Sequence, residues 1–565
     1  MSTKLRCVFS MFFIIVMLSA ICAPGAPAGE RGRGAPVGMP QGSGPGGPPG
    51  GGDGGPPVNN SPEKAAIFIK NGSENAGNEY AARKYNANIK SDAKGVTINN
   101  LNLTSGDYTF NGIVAIGANT RVTLDKCRIN LGVSSPANSE DTGGSAIAVD
   151  DGAIMHINNS ELKVDGANRY VTSNYKDGTL IINDSVLVST GGNEYTAEIA
   201  EPVANPWLLI SGMARANFSI EKTKTYFFNS SCTAEGWGAL STDSSIDDGL
   251  DLYAYNTRAI AQNGGYGTYA DFNCRVWLYG STLDAAEMGA IISKDGQITF
   301  ADGGQAPKEV LKYNLGKTTT SGTILRGGRN AVMIHAPDMF GEGKGAADCA
   351  TLNVFNSTLT TSRNLKSTQD YTAKYGDAIG AYVDYISGAA ILVKSTSANI
   401  NLENSRIDSY SGVMVMTVLN SDPMGNYLAE EDGKEVRPIA VSMKNMDAEG
   451  DIKHMDYQRI MKLSLENATL KGAVVSGTME EWNKRWSAYK KGDCNWVVND
   501  SWNTFYGVQM TVKKGATWEV SGLSTLSSLT VENGGTIKGA VQVDGKAVTL
   551  SAGTTYTGKI VVKPL

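Results

Sequence analysis

Leu180-Ile181-Ile182-Asn183-Asp184-Ser185-Val186-Leu187 reads as two short strands joined by a polar corner. Alternating apolar residues stand on both sides of an Asn/Asp-Ser turn, and period-2 alternation argues for β structure rather than helix. Asn and Asp suit the corner because they tolerate unusual backbone angles and bond their own backbone. The pattern returns at Val96–Leu103, Val122–Ile129, Met155–Leu162, Val276–Leu283, Leu352–Leu359, Ile400–Ile407 and Leu463–Leu470. Matched positions Leu101, Cys127, Ser160 and Ser185 are 26, 33 and 25 residues apart, and Met446 and Ala468 are 22 apart.

Repeats of this length indicate a solenoid, in which each coil buries its apolar face only against its neighbours. The fold class expected is all-β: a single-stranded parallel β-helix with loop insertions, its strands paired coil to coil. Ile98, Leu124, Ile157, Ile182, Leu402 and Leu465 should point inward. The corner amides should stack in a column, each bonding the next. Cys127 takes a place that other repeats give to Ser, so a small buried side chain is expected there. Long steps, such as Ser281 to Ser357, imply insertions that leave the coil as side loops. A β-sandwich or propeller of many short strands is the competing architecture.

The strand-turn-strand signature resembles the right-handed parallel β-helix of pectate-lyase-like proteins and of bacterial adhesin and autotransporter passenger domains. The resemblance covers about residues 64 to 565. From Trp518 onward, pulses such as Val541-Gln542-Val543 and Ile560-Val561-Val562 look like the terminal coils of such passengers. No series of ten-residue amphipathic strands follows, so no translocating barrel is expected. The division expected is a signal peptide over 1–28, a linker over 29–62, the β-helix with insertions over 63–510 and C-terminal coils over 511–565.

Lys4 and Arg6 precede the apolar run Val8–Ala20, and Ala26-Pro27-Ala28 offers a cleavage site. The run is too short to span a bilayer. Gly29 to Pro57 holds 13 Gly and 7 Pro in 29 residues, the composition of a flexible tether. Export to the cell surface or beyond is expected, with no membrane span after cleavage. Lys+Arg 50 against Asp+Glu 56 leaves a net charge of −6, which argues against a nucleic-acid-binding surface. Outside the leader the cysteines are Cys127, Cys232, Cys274, Cys349 and Cys494, each more than forty residues from the next. No CxxC pair exists, and export is compatible with one or two disulfides whose pairing the sequence leaves open.

The densest acidic run, Asp243-Ser244-Ser245-Ile246-Asp247-Asp248-Gly249-Leu250-Asp251, has three readings. It is a structural turn, a Ca²⁺ site through Asp247, Asp248 and Asp251, or a catalytic carboxylate set built from Asp243, Asp247 and Asp248. β-Helix polygalacturonases pair such aspartates with Gly-His-Gly. Here His156, His335 and His454 are the only histidines, and none is flanked by Gly on both sides. A lyase of this fold needs a cation for the uronate carboxylate and a basic residue, for which Arg326 and Arg329, with His335, are the candidates. No other cofactor is implied.

His156 should point outward from its coil. Tyr253 and Tyr255 should share one face of a strand, and Trp237, Trp482, Trp486, Trp496 and Trp502 offer rings that either bind sugars or cap the solenoid. The functional expectation is a surface or extracellular adhesin-like or glycan-contacting protein, whose partner is a polysaccharide or a cell-surface component. A polysaccharide lyase or glycoside hydrolase of the same fold is the alternative, and a structural matrix component is a third.

Overall fold

The computed structural model describes residues 64–70, 73–76, 85–132, 143–166, 169–190, 215–243, 249–335, 349–363, 384–394, 396–418, 437–456, 459–477 and 507–565. The leader, the linker, Asp247, Asp248, Cys494 and the cluster of Trp482, Trp486, Trp496 and Trp502 lie outside the described residues.

Each coil passes through three short strands. One runs through Ile147–Asp150, Ile154–Asn158 and Glu161–Asp165, and the next through Tyr170–Asn174, Thr179–Asn183 and Val186–Thr190. Within the coils each strand pairs in parallel with its equivalent one coil away, so Ile157 lies beside Ile182 and Leu162 beside Leu187. Repetition builds three faces. Sheet 1 is a ladder of 13 parallel strands, sheet 2 carries the strands before the Asn corner, and sheet 3 carries those after it. The chain is therefore an all-β parallel β-helix. A sandwich or propeller would not pair strands coil to coil in this way. Among the described residues, no helix is long and apolar enough to cross a membrane.

Ile98, Leu124, Ile157, Ile182, Leu402 and Leu465 all point inward, none more than 1% exposed, into one continuous core. The corner explains the polar signature. Asn100, Asn159, Asp184, Asn229, Asn256, Asn356, Asn404, Asn445 and Asn467 have φ between 46° and 53°, the left-handed region that Asn and Asp enter at least cost among side chains bearing a Cβ. Gly280 takes the same place at φ 56° and Lys126 at 53°. A single residue thus turns the chain from sheet 2 to sheet 3.

Stacking lets the corner side chains bond along the column. Asn159 Nδ2 donates to Asp125 Oδ1 at 2.9 Å, Asn256 Nδ2 to Asn229 Oδ1 at 2.7 Å, and Asn404 donates to Asn356. Beneath them runs a buried hydroxyl ladder. The N–H of Cys127 donates to Ser160 Oγ, that of Ser160 to Ser185 Oγ and that of Ser185 to Ser230 Oγ, at 3.0–3.1 Å. Each hydroxyl in turn donates to the carbonyl two residues back, as Ser185 does to Asn183 at 2.7 Å. The ladder satisfies backbone groups that the corner takes out of the sheets. Cys127, Cys232 and Cys274 are buried free thiols, and Cys349 is half-buried and free, so the described cysteines form no disulfide.

Both ends of the ladder are blunted. Residues 85–92 pair antiparallel with 95–105, and 524–531 pair antiparallel with 555–563, which also bind 540–543. Residues 517–519, 524–531 and 536–538 still pair in parallel with the coil before them, and residues 540–563 then fold back as antiparallel strands that cover the open edge of the last coil. One insertion, 302–323, leaves at the corner. It carries the short helix Lys308–Leu311 and lies back across earlier coils, with Val310 buried among Tyr226, Phe228, Tyr255 and Tyr279.

Candidate functional site

Sheet 1 differs from the other faces in being buried on both sides. Arg215–Ile220, Gly238–Asp243, Met288–Ser293 and Asn330–His335 are buried at every residue. Small and apolar runs such as Met288-Gly289-Ala290-Ile291-Ile292-Ser293 suit strands covered above and below. Yet polar residues stand at the C-terminal ends of these strands, on the side away from the core. Asp243 closes one strand, Asp271 follows the strand Tyr266–Ala270, and Ser293, His335 and Lys394 are register neighbours on the next three. All five are 0–2% exposed.

At the head of this column Arg215 sits in an aromatic cage. Its guanidinium lies 4.9 Å from the Trp237 ring and 5.4 Å from those of Tyr170 and Phe218. Cation–π contacts hold the charge there, and Asp243 faces it at 3.8 Å, beyond hydrogen-bond distance. Burial pushes the Asp243 carboxyl up to about 6 despite the opposing pull of Arg215. Asp271 is raised well above the usual carboxylate range, by burial first and then by the neighbouring Asp243 charge. The Tyr269 hydroxyl donates to Asp271 Oδ1 at 3.1 Å, and burial pushes that phenol far up as well. His335 is held well below the ordinary histidine range by burial and then by Lys394, so its ring is neutral.

Several of these atoms have nothing to bond. Among the described residues, both oxygens of Asp243 and both ring nitrogens of His335 lack a hydrogen-bond partner, as does Arg215 Nε. Leaving a buried polar group unpaired costs roughly 1–3 kcal/mol. Partnerless buried polar atoms occur elsewhere in the chain too, at Asn111, Asn158 and Asn183 among others, and here they stand beside groups of shifted acidity.

The sequence candidates divide between faces. Asp243 and His335 belong to this column. Asp251 does not: it stands on sheet 2, its carboxylate bound to Arg275 at 2.7 Å, so it and Asp243 do not converge. Arg326 and Arg329 separate too, which breaks the expected arginine pair. Arg326 is exposed on sheet 3 between Asp284 and Thr360. Arg329 is buried, 3.6 Å from Glu287, at the head of the strand that ends in His335. Arg215, Asp271, Tyr269 and Lys394 were not legible as site residues. Their one signal is a polar residue bordering an apolar run, and only the coil register brings them together.

His156 is half-buried on the outward face of sheet 2, near the Tyr313 ring. His454 is instead buried in the core, Nδ1 2.7 Å from Thr417 Oγ1 and Nε2 2.9 Å from the Arg459 carbonyl. Tyr253 and Tyr255 do share a face of sheet 2, but their rings are already in use. Tyr253 is sandwiched between Tyr226 at 5.0 Å and Trp277 at 4.6 Å, nearly parallel to both. Tyr255 is buried under the 302–323 insertion, and Trp237 covers Arg215. Sugar stacking needs an open ring face, which these stacks consume. Among the described residues, no group of three His, Cys, Asp or Glu side chains is arranged to hold a metal ion. Compared with protein-family profiles, with curated proteins and with solved structures, the chain matches none.

Proposed function

We propose that this chain is an exported, glycan-contacting β-helix protein of the surface or extracellular kind, with the sheet 1 column as its contact site. The observation that carries the reading is the row of buried polar atoms without partners around Asp243 and His335. A hydroxyl-rich ligand supplies both donors and acceptors, which a neutral imidazole and a carboxylate can each use. The column is covered, so a ligand there is enclosed rather than laid along an open face. That favours a short glycan or a chain end. The resemblance to pectate-lyase-like and passenger β-helices points the same way. Calorimetric titration with neutral and uronate oligosaccharides tests the reading. Binding that disappears in His335→Ala and in Asp243→Asn supports it, and binding indifferent to both defeats it.

A second reading, glycosidic cleavage, is favoured by the acidities of the aspartates. Burial and the neighbouring Asp243 charge raise Asp271 well above the usual carboxylate range while Asp243 is pushed up to about 6, and two neighbouring carboxyls held above that range suit an acid and a base. Release of reducing ends from a uronate polymer, lost in Asp271→Asn, would establish it.

A further inference from the structure

Where sheet 3 hands the chain back to sheet 1, three successive turns meet on one buried cation. Arg169 is wholly buried, and among the described residues its guanidinium donates to six backbone carbonyls and to no carboxylate. Nε donates to Gly144 at 2.8 Å, and Nη1 to Gly132, Asp165 and Leu131 at 2.8, 3.0 and 3.3 Å. Nη2 donates to Asp107 and Phe110, both at 3.2 Å. The turn before Asn111–Ile116 supplies Asp107 and Phe110, and the turn before Ile147–Asp150 supplies Leu131, Gly132 and Gly144. Asp165 comes from the turn that Arg169 itself ends. The nearby carboxylates are engaged elsewhere, Asp107 with Thr109 and Asp165 with the Thr190 hydroxyl. Burial draws the guanidinium down to about 10, so it keeps its charge at neutral pH. Tyr108 lies over the group, its ring 5.3 Å from Cζ. Two glycines make room for this packing. A Cβ at Gly143 would meet Arg169 Cγ at 2.4 Å, and one at Gly166, φ 140°, would meet Tyr108 Cε2 at 2.6 Å.

The cage bears on how the coil accommodates extra chain. Residues 133–142 stand between Gly132 and Gly143, and the carbonyls of Gly132 and Gly144 both lie 2.8 Å from the one guanidinium. The two flanks are therefore within about 10 Å of each other, a gap that about four residues span. Backbone bonds hold them as well, from the Gly132 N–H to Ser105 at 2.7 Å and from the Gly144 N–H to Tyr108 at 2.9 Å. A second junction repeats the arrangement around residues 364–383. There the Thr361 hydroxyl donates to the Gly388 carbonyl at 3.0 Å, and Asn330 Nδ2 donates to Ile386 and Ala389 at 3.0 and 2.7 Å. In both places side chains of the coil join the two flanks directly. We propose that Arg169 is a staple: it fixes three consecutive turns to one another, and the coil keeps its register across residues 133–142 without help from them. The proposal does not depend on a ligand in the sheet 1 column.

Replacing residues 133–142 by Gly-Ser-Gly-Ser in the full chain tests it. The urea midpoint should stay at the wild-type value. Arg169→Met keeps an apolar stem but leaves six carbonyls without their donor, so its midpoint should fall. The same replacement made in Arg169→Met should lower the midpoint further, a coupling that two independent sites would not show. Hydrogen exchange in Arg169→Met should quicken together at all three turns, in residues 105–113, 143–148 and 165–172, and stay unchanged in the coils beyond residue 276. The replacement in the otherwise unaltered chain needs no substitution at Arg169 to fold. A wild-type chain destabilised by that replacement, an Arg169→Met midpoint equal to wild type, or faster exchange confined to residues 165–172 would each overturn the proposal.

Discussion

Arg215 and Asp243 face each other on neighbouring coils at 3.8 Å, both wholly buried, without a hydrogen bond between them. The distance is short enough for attraction and too long for a proton to be shared directly. Arg215 therefore offsets only part of the penalty of burying that carboxylate, where a bonded salt bridge would offset more.

A pH signature follows. The fold raises Asp243 from 3.8 to about 6, so it prefers the protonated form. The stability this contributes is fully present below about pH 4 and is lost as pH rises through 6. The loss amounts to about 3 kcal/mol at 1.36 kcal/mol per unit. His335, with its acidity shifted the other way, loses stability as pH falls below the ordinary histidine range. The test is therefore the difference between the denaturation curves of wild type and Asp243→Asn from pH 4 to 8. Wild type should lose stability relative to the variant across that span. The constant offset reports the loss of Arg215's partner, and a flat difference would refute the assignment.

Ile182→Asp should prevent folding or cost more than about 4 kcal/mol, because an unpaired charge would enter a core only one coil wide. Ile182 is fully buried between Ile157 and Phe227 of the adjoining coils. Urea denaturation of the variant against wild type measures the loss.

Ser185→Ala tests the hydroxyl ladder. Ser185 Oγ accepts the buried Ser160 N–H at 3.0 Å, and the substitution strands that donor. A loss of about 1–3 kcal/mol is expected, with Ser185→Thr recovering most of it since the Thr323 hydroxyl accepts the Ser281 N–H in the same column. An unchanged midpoint for Ser185→Ala would show the ladder to be incidental.

Tyr255→Phe removes two hydrogen bonds to Thr319 while keeping the ring. Limited proteolysis should then cut within residues 312–322 several-fold faster than in wild type, with little change in the global unfolding transition, because the insertion can lift without opening the coils.

Trp277→Ala separates packing from ligand contact. The ring completes the stack with Tyr253 and carries Arg275 at 5.7 Å, so its loss should cost about 3 kcal/mol of stability. Oligosaccharide binding should survive at a temperature where the variant is folded. Loss of binding without loss of stability would move the contact site to sheet 2.

The amino-acid sequence by itself determined the β-helix, its corner and its inward residues. Those properties are local: a period-2 alternation, one Asn or Asp able to take a positive φ, and a Ser placed to bond the carbonyl two residues back, repeated until the copies must stack. The candidate site was decided by the tertiary structure alone. Asp243 and His335 were visible as residue types, but Arg215, Asp271 and Lys394 became neighbours only through coil register, and register depends on loops of irregular length. The same dependence separated Arg326 from Arg329, three residues apart yet on different sheets, because one Gly-Gly turn between them carries the chain around the edge of the coil. It also stacked the outward-facing aromatic residues of sheet 2 on one another, since rings that alternate along one strand meet rings from the next coil rather than a ligand.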